Sequence, residues 1–179
     1  QPLLFKKIML RISLSVFFLF ASFLYSFTGV GEGASAVSEV KHVAKPDVCA
    51  ELFRDMQLEG TVNYTAFRQA VTGYYRIAQR KRDILTLIDF SKPSTEKRLY
   101  VFDMKEKKML FSSVVAHGKN SGGVYATSFS NEYGSYKSSL GFYLTASTYQ
   151  GKNGYSLILD GLEKGINDRA RERAIVVHG

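Results

Sequence analysis

The spacing of apolar residues changes once along this chain, near residue 84, and that change limits the folds open to it. Upstream, Val48, Leu52 and Met56 recur every fourth residue with Cys49 and Phe53 alongside, which makes one apolar face of a helix. Asp47, directly after Pro46, is the expected N-cap because its short carboxylate can take the first free backbone N–H groups. Gly60 is the expected stop. A second helix is predicted from Asn63, where Phe67, Ala70, Val71, Tyr74, Ile77 and Ala78 repeat at three and four. The run Arg80-Lys81-Arg82 suits its C-terminal end, where cations meet the negative pole of the helix. Downstream the pattern becomes one of short strands. Ile84–Ile88 is a β-branched-rich run, Leu99, Val101 and Phe102 mark a second strand, and Lys105–Lys108 turns into a third over Met109–Ala116. Residues 128–139, rich in Ser, Tyr, Gly and Asn, read as a long loop. Further strands are predicted near 140–146, 155–159 and 174–178, with a helical turn or two over 166–173. The fold class is therefore mainly β, preceded by a small helical part over 47–82.

Residues 12–31 carry no charge and follow Lys6, Lys7 and Arg11. A basic start, an apolar middle and Ala34-Ser35-Ala36 are the three parts of a secretory signal. The same 20 uncharged residues are also long enough to anchor the chain in a bilayer. Residues 1–36 are thus a signal peptide or a membrane anchor, and 37–46 a polar linker. Either way the rest is exported, to a periplasm or cell envelope. The net charge is +8, of which the first 36 residues supply +2. A basic surface suits an anionic polymer, and export removes nucleic acid from the expected partners. The membrane enters only through the N-terminal segment.

The lone cysteine, Cys49, excludes an internal disulfide framework and a Cys-rich zinc site. It lies on an apolar helix face with no close cation to favour a thiolate, which is the pattern of a small core residue. Two histidines stand at strand ends beside glycine, His117-Gly118 and His178-Gly179. A histidine leaving a buried strand where the backbone opens is well placed as a base. It is also a possible metal ligand, but no third ligand has a recognisable spacing, so no metal is expected. His42 falls in the linker. Gly118-Lys-Asn-Ser121-Gly122 sets its serine one place too late for a nucleophile elbow, and no phosphate loop or dinucleotide fingerprint is present. Asp89, Asp103 and Asp160 are scattered carboxylates. Tyr125, Tyr133, Tyr136, Tyr143, Tyr149 and Tyr155 either line a groove for a polar polymer or are amphipathic strand residues.

Seven blocks, in order, are similar to the YkuD-type L,D-transpeptidase catalytic domain family. They are Ile88–Ser94, Lys97–Val101, Val115–Gly122, Phe129–Asn131, Ser135–Tyr143, Leu159–Leu162 and Asn167–Gly179. The resemblance implies a YkuD-like β-sandwich catalytic domain over 83–179 and a cysteine acyl-transfer enzyme that cross-links peptidoglycan stem peptides. It implies no cofactor. His178, in its His-Gly step with Gly179, corresponds to the general base. Ser139, Gly141 and Tyr143 correspond to the donor groove, and His117, Gly118 and Ser121 to an adjoining wall. In the family the nucleophile sits in a Gly-Cys step on the order of twenty residues after the His-Gly step. Cys49, far upstream, does not match it. The expectation is a catalytic domain truncated before its cysteine, inactive as the 179 residues stand. An L,D-carboxypeptidase and a non-catalytic peptidoglycan-binding envelope protein are the alternatives.

Overall fold

The computed structural model describes residues 47–178. The apolar run at 12–31, the linker and Gly179 lie outside the described residues. No helix among the described residues is long and apolar enough to cross a membrane.

Helix α1 spans Val48–Asp55, and the Asp47 carboxylate caps it by accepting from the N–H groups of Cys49 and Ala50. Helix α2 spans Tyr64–Arg76, capped by the Asn63 side chain accepting from Ala66 N. The Asp47 cap and the start of the second helix at Asn63 stand where the sequence put them, and both helices end early. Helix α1 stops at Asp55 because Gln57 takes a positive φ of 55° and Leu58 N reaches back to Phe53 O. Gly60 serves the turn that follows. Helix α2 stops at Arg76 as Ile77 becomes extended, so Ala78 and Arg80–Arg82 fall beyond it. Arg80 still serves that end. Its Nη1 donates to Ile77 O at 2.7 Å, and its guanidinium lies 4.6 Å from the Tyr74 ring centroid.

Among the described residues, six strands form two antiparallel sheets. The first holds β1 (Ile84–Ile88), β2 (Leu99–Asp103) and β3 (Lys108–Ser113) in chain order. The second holds β4 (Tyr143–Gly151), β5 (Gly154–Gly161) and β6 (Val176–His178), again in chain order. The helices share one apolar core with the first sheet. Leu52, Phe53, Leu58, Phe67 and Val71 pack with Leu87, Tyr100 and Phe102. Phe67 joins the layers, edge-on to Phe53 at 5.3 Å and to Phe102 at 5.5 Å. Cys49 packs against the same cluster. Phe142, just before β4, lies against Gly73 of α2 so closely that a Cβ there would overlap its ring.

Two strand boundaries differ from expectation for reasons that bear on the site. Strand β3 ends at Ser113 instead of running to Ala116, because Val115 O is taken by a side chain instead of a strand. Strand β4 starts at Tyr143 instead of residue 140, because Gly141 has φ +109° and the Phe142 peptide is held by side chains. The β4–β5 hairpin is longer than expected and turns at Lys152-Asn153-Gly154, with Gly154 at φ +82°. The two-residue turn Lys152-Asn153 is closed by the pairing of Gly151 with Gly154, where the positive φ favours glycine.

Candidate active site

Arg98 stands just before β2 and is fully buried. Its donors go to groups the chain brings from elsewhere. Nε and Nη2 both reach Val115 O, at 3.0 and 2.7 Å, and Nη1 reaches Lys92 O at 3.0 Å. Nη2 also lies 2.8 Å from His117 Nδ1. A guanidinium only donates, so His117 Nδ1 accepts and its ring hydrogen sits on Nε2. That Nε2 donates to Gly122 O at 3.3 Å. Both ring nitrogens of His117 therefore have protein partners, and the residue is built into the wall of the 117–122 turn. Among the described residues, no group of three or more His, Cys, Asp or Glu could hold a metal.

The 118–122 turn is laced to the loop over 128–139. Gly118 N donates to Ser138 Oγ at 2.9 Å, and Ser138 N donates to Ser121 Oγ at 2.8 Å. Ser121 is fully buried, and its carbonyl also accepts from Thr127 N and Ser128 N. Gly118 is required by space: a Cβ there would come within 2.6 Å of Tyr136 O. Ser139 is buried and donates to Ser130 O at 2.9 Å. The Tyr143 hydroxyl donates to Ser139 O at 3.1 Å, and burial pushes its pKa up from the ordinary tyrosine value.

The segment 162–175 closes the other side. Asn167, fully buried, donates from Nδ2 to Phe142 O at 2.9 Å, while Glu163 Oε2 accepts from Phe142 N at 2.7 Å. Both backbone polar groups of Phe142, between Gly141 and the strand, are thus held by side chains. A side chain at residue 141 would collide with the Glu163 carboxylate. Arg173 donates to Ser130 O (2.7 Å), Ser139 Oγ (2.5 Å), Ser135 Oγ (3.1 Å) and Lys137 O (2.6 Å).

His178 ends β6, opposite Ser156 of β5, and is exposed. The loop is thus tied to the strand carrying His178 through Arg173, five residues earlier. Gly179 lies outside the described residues. The structure brings Gly118, Ser121, Ser139 and Tyr143 into one bonded system, to which His117 is joined through its turn. Gly141 adjoins that system through Glu163 and Asn167. His178 stands in the second sheet at the end of the tied segment. Arg98, Glu163, Asn167 and Arg173 were given no role from sequence. Arg98, Asn167 and Arg173 fall in blocks that carry the family resemblance, and that was the available signal.

Beside β6, Arg171 forms a two-point ion pair with Asp160, Nε to Oδ1 at 2.5 Å and Nη2 to Oδ2 at 2.7 Å. It borders a shallow cavity of about 210 Å³ lined by Tyr149, Ile158 and Ala174–Val176. The guanidinium holds the Asp160 carboxyl below its ordinary pKa. A carboxylate lowered on folding adds stability that is full above its unfolded pKa and lost as pH falls through the folded one. Asp160→Asn is therefore expected to flatten the acid limb of stability below about pH 4, read as urea midpoint against pH. An unchanged acid slope in the variant would show that the pair contributes nothing to it.

Searches of curated proteins and of solved structures gave no match. A family model described as the L,D-transpeptidase catalytic domain matches residues 58–179. The match takes in α2, both sheets, the laced loops and His178, so the chain belongs to the L,D-transpeptidase catalytic domain family.

Proposed function

We propose that the full-length protein is an exported peptidoglycan L,D-transpeptidase that cross-links stem peptides through a cysteine acyl-enzyme. The observation that carries this reading is the family match reaching through His178. His178, in its step with Gly179, is the general base. Ser139, Gly141 and Tyr143 line the donor groove, with His117, Gly118 and Ser121 as the adjoining wall. Cys49, packed against the helical core, is not the cysteine of this chemistry. Residues 1–36 act as signal or anchor and deliver the domain to the periplasm or cell envelope.

In the reaction the cysteine thiol gives its proton to His178, and the resulting thiolate attacks the carbonyl carbon of the third stem residue. Backbone N–H groups stabilise the oxyanion. The C–N bond to terminal D-Ala breaks, and the histidine returns the proton to the leaving amine. An acceptor amine then attacks the thioester carbonyl and gives a proton to His178, the C–S bond breaks, and the thiolate leaves beside the protonated histidine. The chemistry calls for no cofactor.

The test is mass spectrometry of full-length protein with a carbapenem, followed by product analysis with muropeptides. A covalent adduct and cross-linked dimers are expected. His178→Ala should slow acylation by about 10²–10⁴-fold. Release of D-Ala without dimers would make the protein an L,D-carboxypeptidase, with water as the acceptor. Sacculus binding without an adduct would make it a non-catalytic envelope protein.

A further inference from the structure

Tyr136 is held in a conformation that folding alone does not favour. Its φ is +54°, a left-handed backbone that penalises any residue with a side chain. The loop nevertheless fixes it there. Asn120 N donates to Tyr136 O at 3.1 Å, Asn120 Nδ2 donates to Ser135 O at 2.9 Å, and Gly118 presses against Tyr136 O. Nor is the ring used to build a core, since Tyr136 is 62% exposed. The Lys119 ammonium lies 4.0 Å from its ring centroid, and Lys119 is in no ion pair among the described residues. Close by in sequence, the turn Glu132–Ser135 displays Tyr133, which is 76% exposed. Strained backbone at non-glycine residues is enriched at ligand-binding positions, and here it carries an exposed aromatic ring.

We propose that the Tyr136 ring with Lys119 is a binding platform for the amino-sugar glycan strand of peptidoglycan, next to the wall of the groove that takes the stem peptide. This rests on the reading that peptidoglycan is the substrate. A pyranose presents a face of C–H groups that stacks on an aromatic ring, and a tyrosine supplies that apolar face with a polar edge. The ammonium offers three donors to sugar hydroxyl and acetamide oxygens. The net positive charge of the chain adds attraction to the anionic wall around the glycan.

The probe is a neutral chito-oligosaccharide, which carries no stem peptide, titrated into the full-length protein by calorimetry. The stem tetrapeptide is titrated in parallel. The informative variant is Tyr136→Gly, because glycine accepts the positive φ freely and the loop keeps its path while the ring is gone. Saturable binding of the oligosaccharide is expected, weakened about tenfold in Tyr136→Gly, with tetrapeptide binding unchanged. Tyr136→Phe, which keeps the stacking face, should bind within about twofold of the parent. The proposal is overturned if the parent shows no saturable oligosaccharide binding, if Tyr136→Gly binds it as tightly, or if the tetrapeptide alone loses affinity. A carbapenem adduct on protein that fails this test would remove the glycan platform and leave the transpeptidase reading standing. Oligosaccharide binding without an adduct would do the reverse.

Discussion

Arg98→Met is expected to lower the unfolding free energy by about 3–5 kcal/mol, the range for removing one charged partner from a buried polar network. The magnitude follows from what the guanidinium leaves behind. Val115 O, Lys92 O and His117 Nδ1 would each lose a charged donor. Asp89, whose Oδ2 is buried without a hydrogen-bond partner among the described residues, would lose the positive charge that balances it. Burial pulls the Arg98 pKa down, and the Asp89 charge pushes it back up. Arg98→Lys should lose nearly as much, since one ammonium cannot span acceptors set around a planar fork. Adding Asp89→Asn to Arg98→Met should recover about 1 kcal/mol or more by removing the stranded charge. Urea unfolding of the four proteins measures all of this. A loss for Arg98→Met near the 0.5 kcal/mol or so of an ordinary surface change would show that the 114–122 turn keeps its path unaided.

The same arginine shows why part of the structure was legible in sequence and part was not. Asp47 could be read as a cap because a cap bonds to N–H groups two or three residues away. The strands could be read because their apolar pattern is local. Arg98 bonds across 17 and 19 residues, and Arg173 across 34 to 43. No window holds both ends of such a bond, and a lone arginine reads by default as a solvated charge. The ends of β3 and β4 were misread for the same cause, since each is set by a distant side chain. For the candidate site, the residues carrying the resemblance were visible, but the arginines that hold them were not. Ser139 Oγ bonds to Ser130 O and Arg173, nine and 34 residues away, and no local pattern shows those partners.

Arg173→Lys is expected to free the 130–139 loop while leaving the first sheet intact. The guanidinium is the donor for four acceptors on that loop, and they do not depend on it equally. Ser130 O keeps the Ser139 hydroxyl as a donor, whereas Lys137 O would lose a charged donor at 2.6 Å. A lysine can follow one or two of these directions but not the fan of four. Losing even one charge-assisted bond, about 1.5–3 kcal/mol, makes local opening at least about tenfold more frequent. Hydrogen exchange should therefore quicken by that factor at Ser130 N and Ser138 N, which bond within the laced loops. Exchange in β1 and β2, which pair with each other and pack on the helices, should not change. A uniform rise across both sheets would mean global destabilisation and would sink the claim of a local clamp. In full-length protein the same variant should lower kcat/KM by about 100-fold, the effect of an ångström-scale misplacement. The loss should fall on kcat as well as KM, because Arg173 ties the loop to the segment that ends in His178.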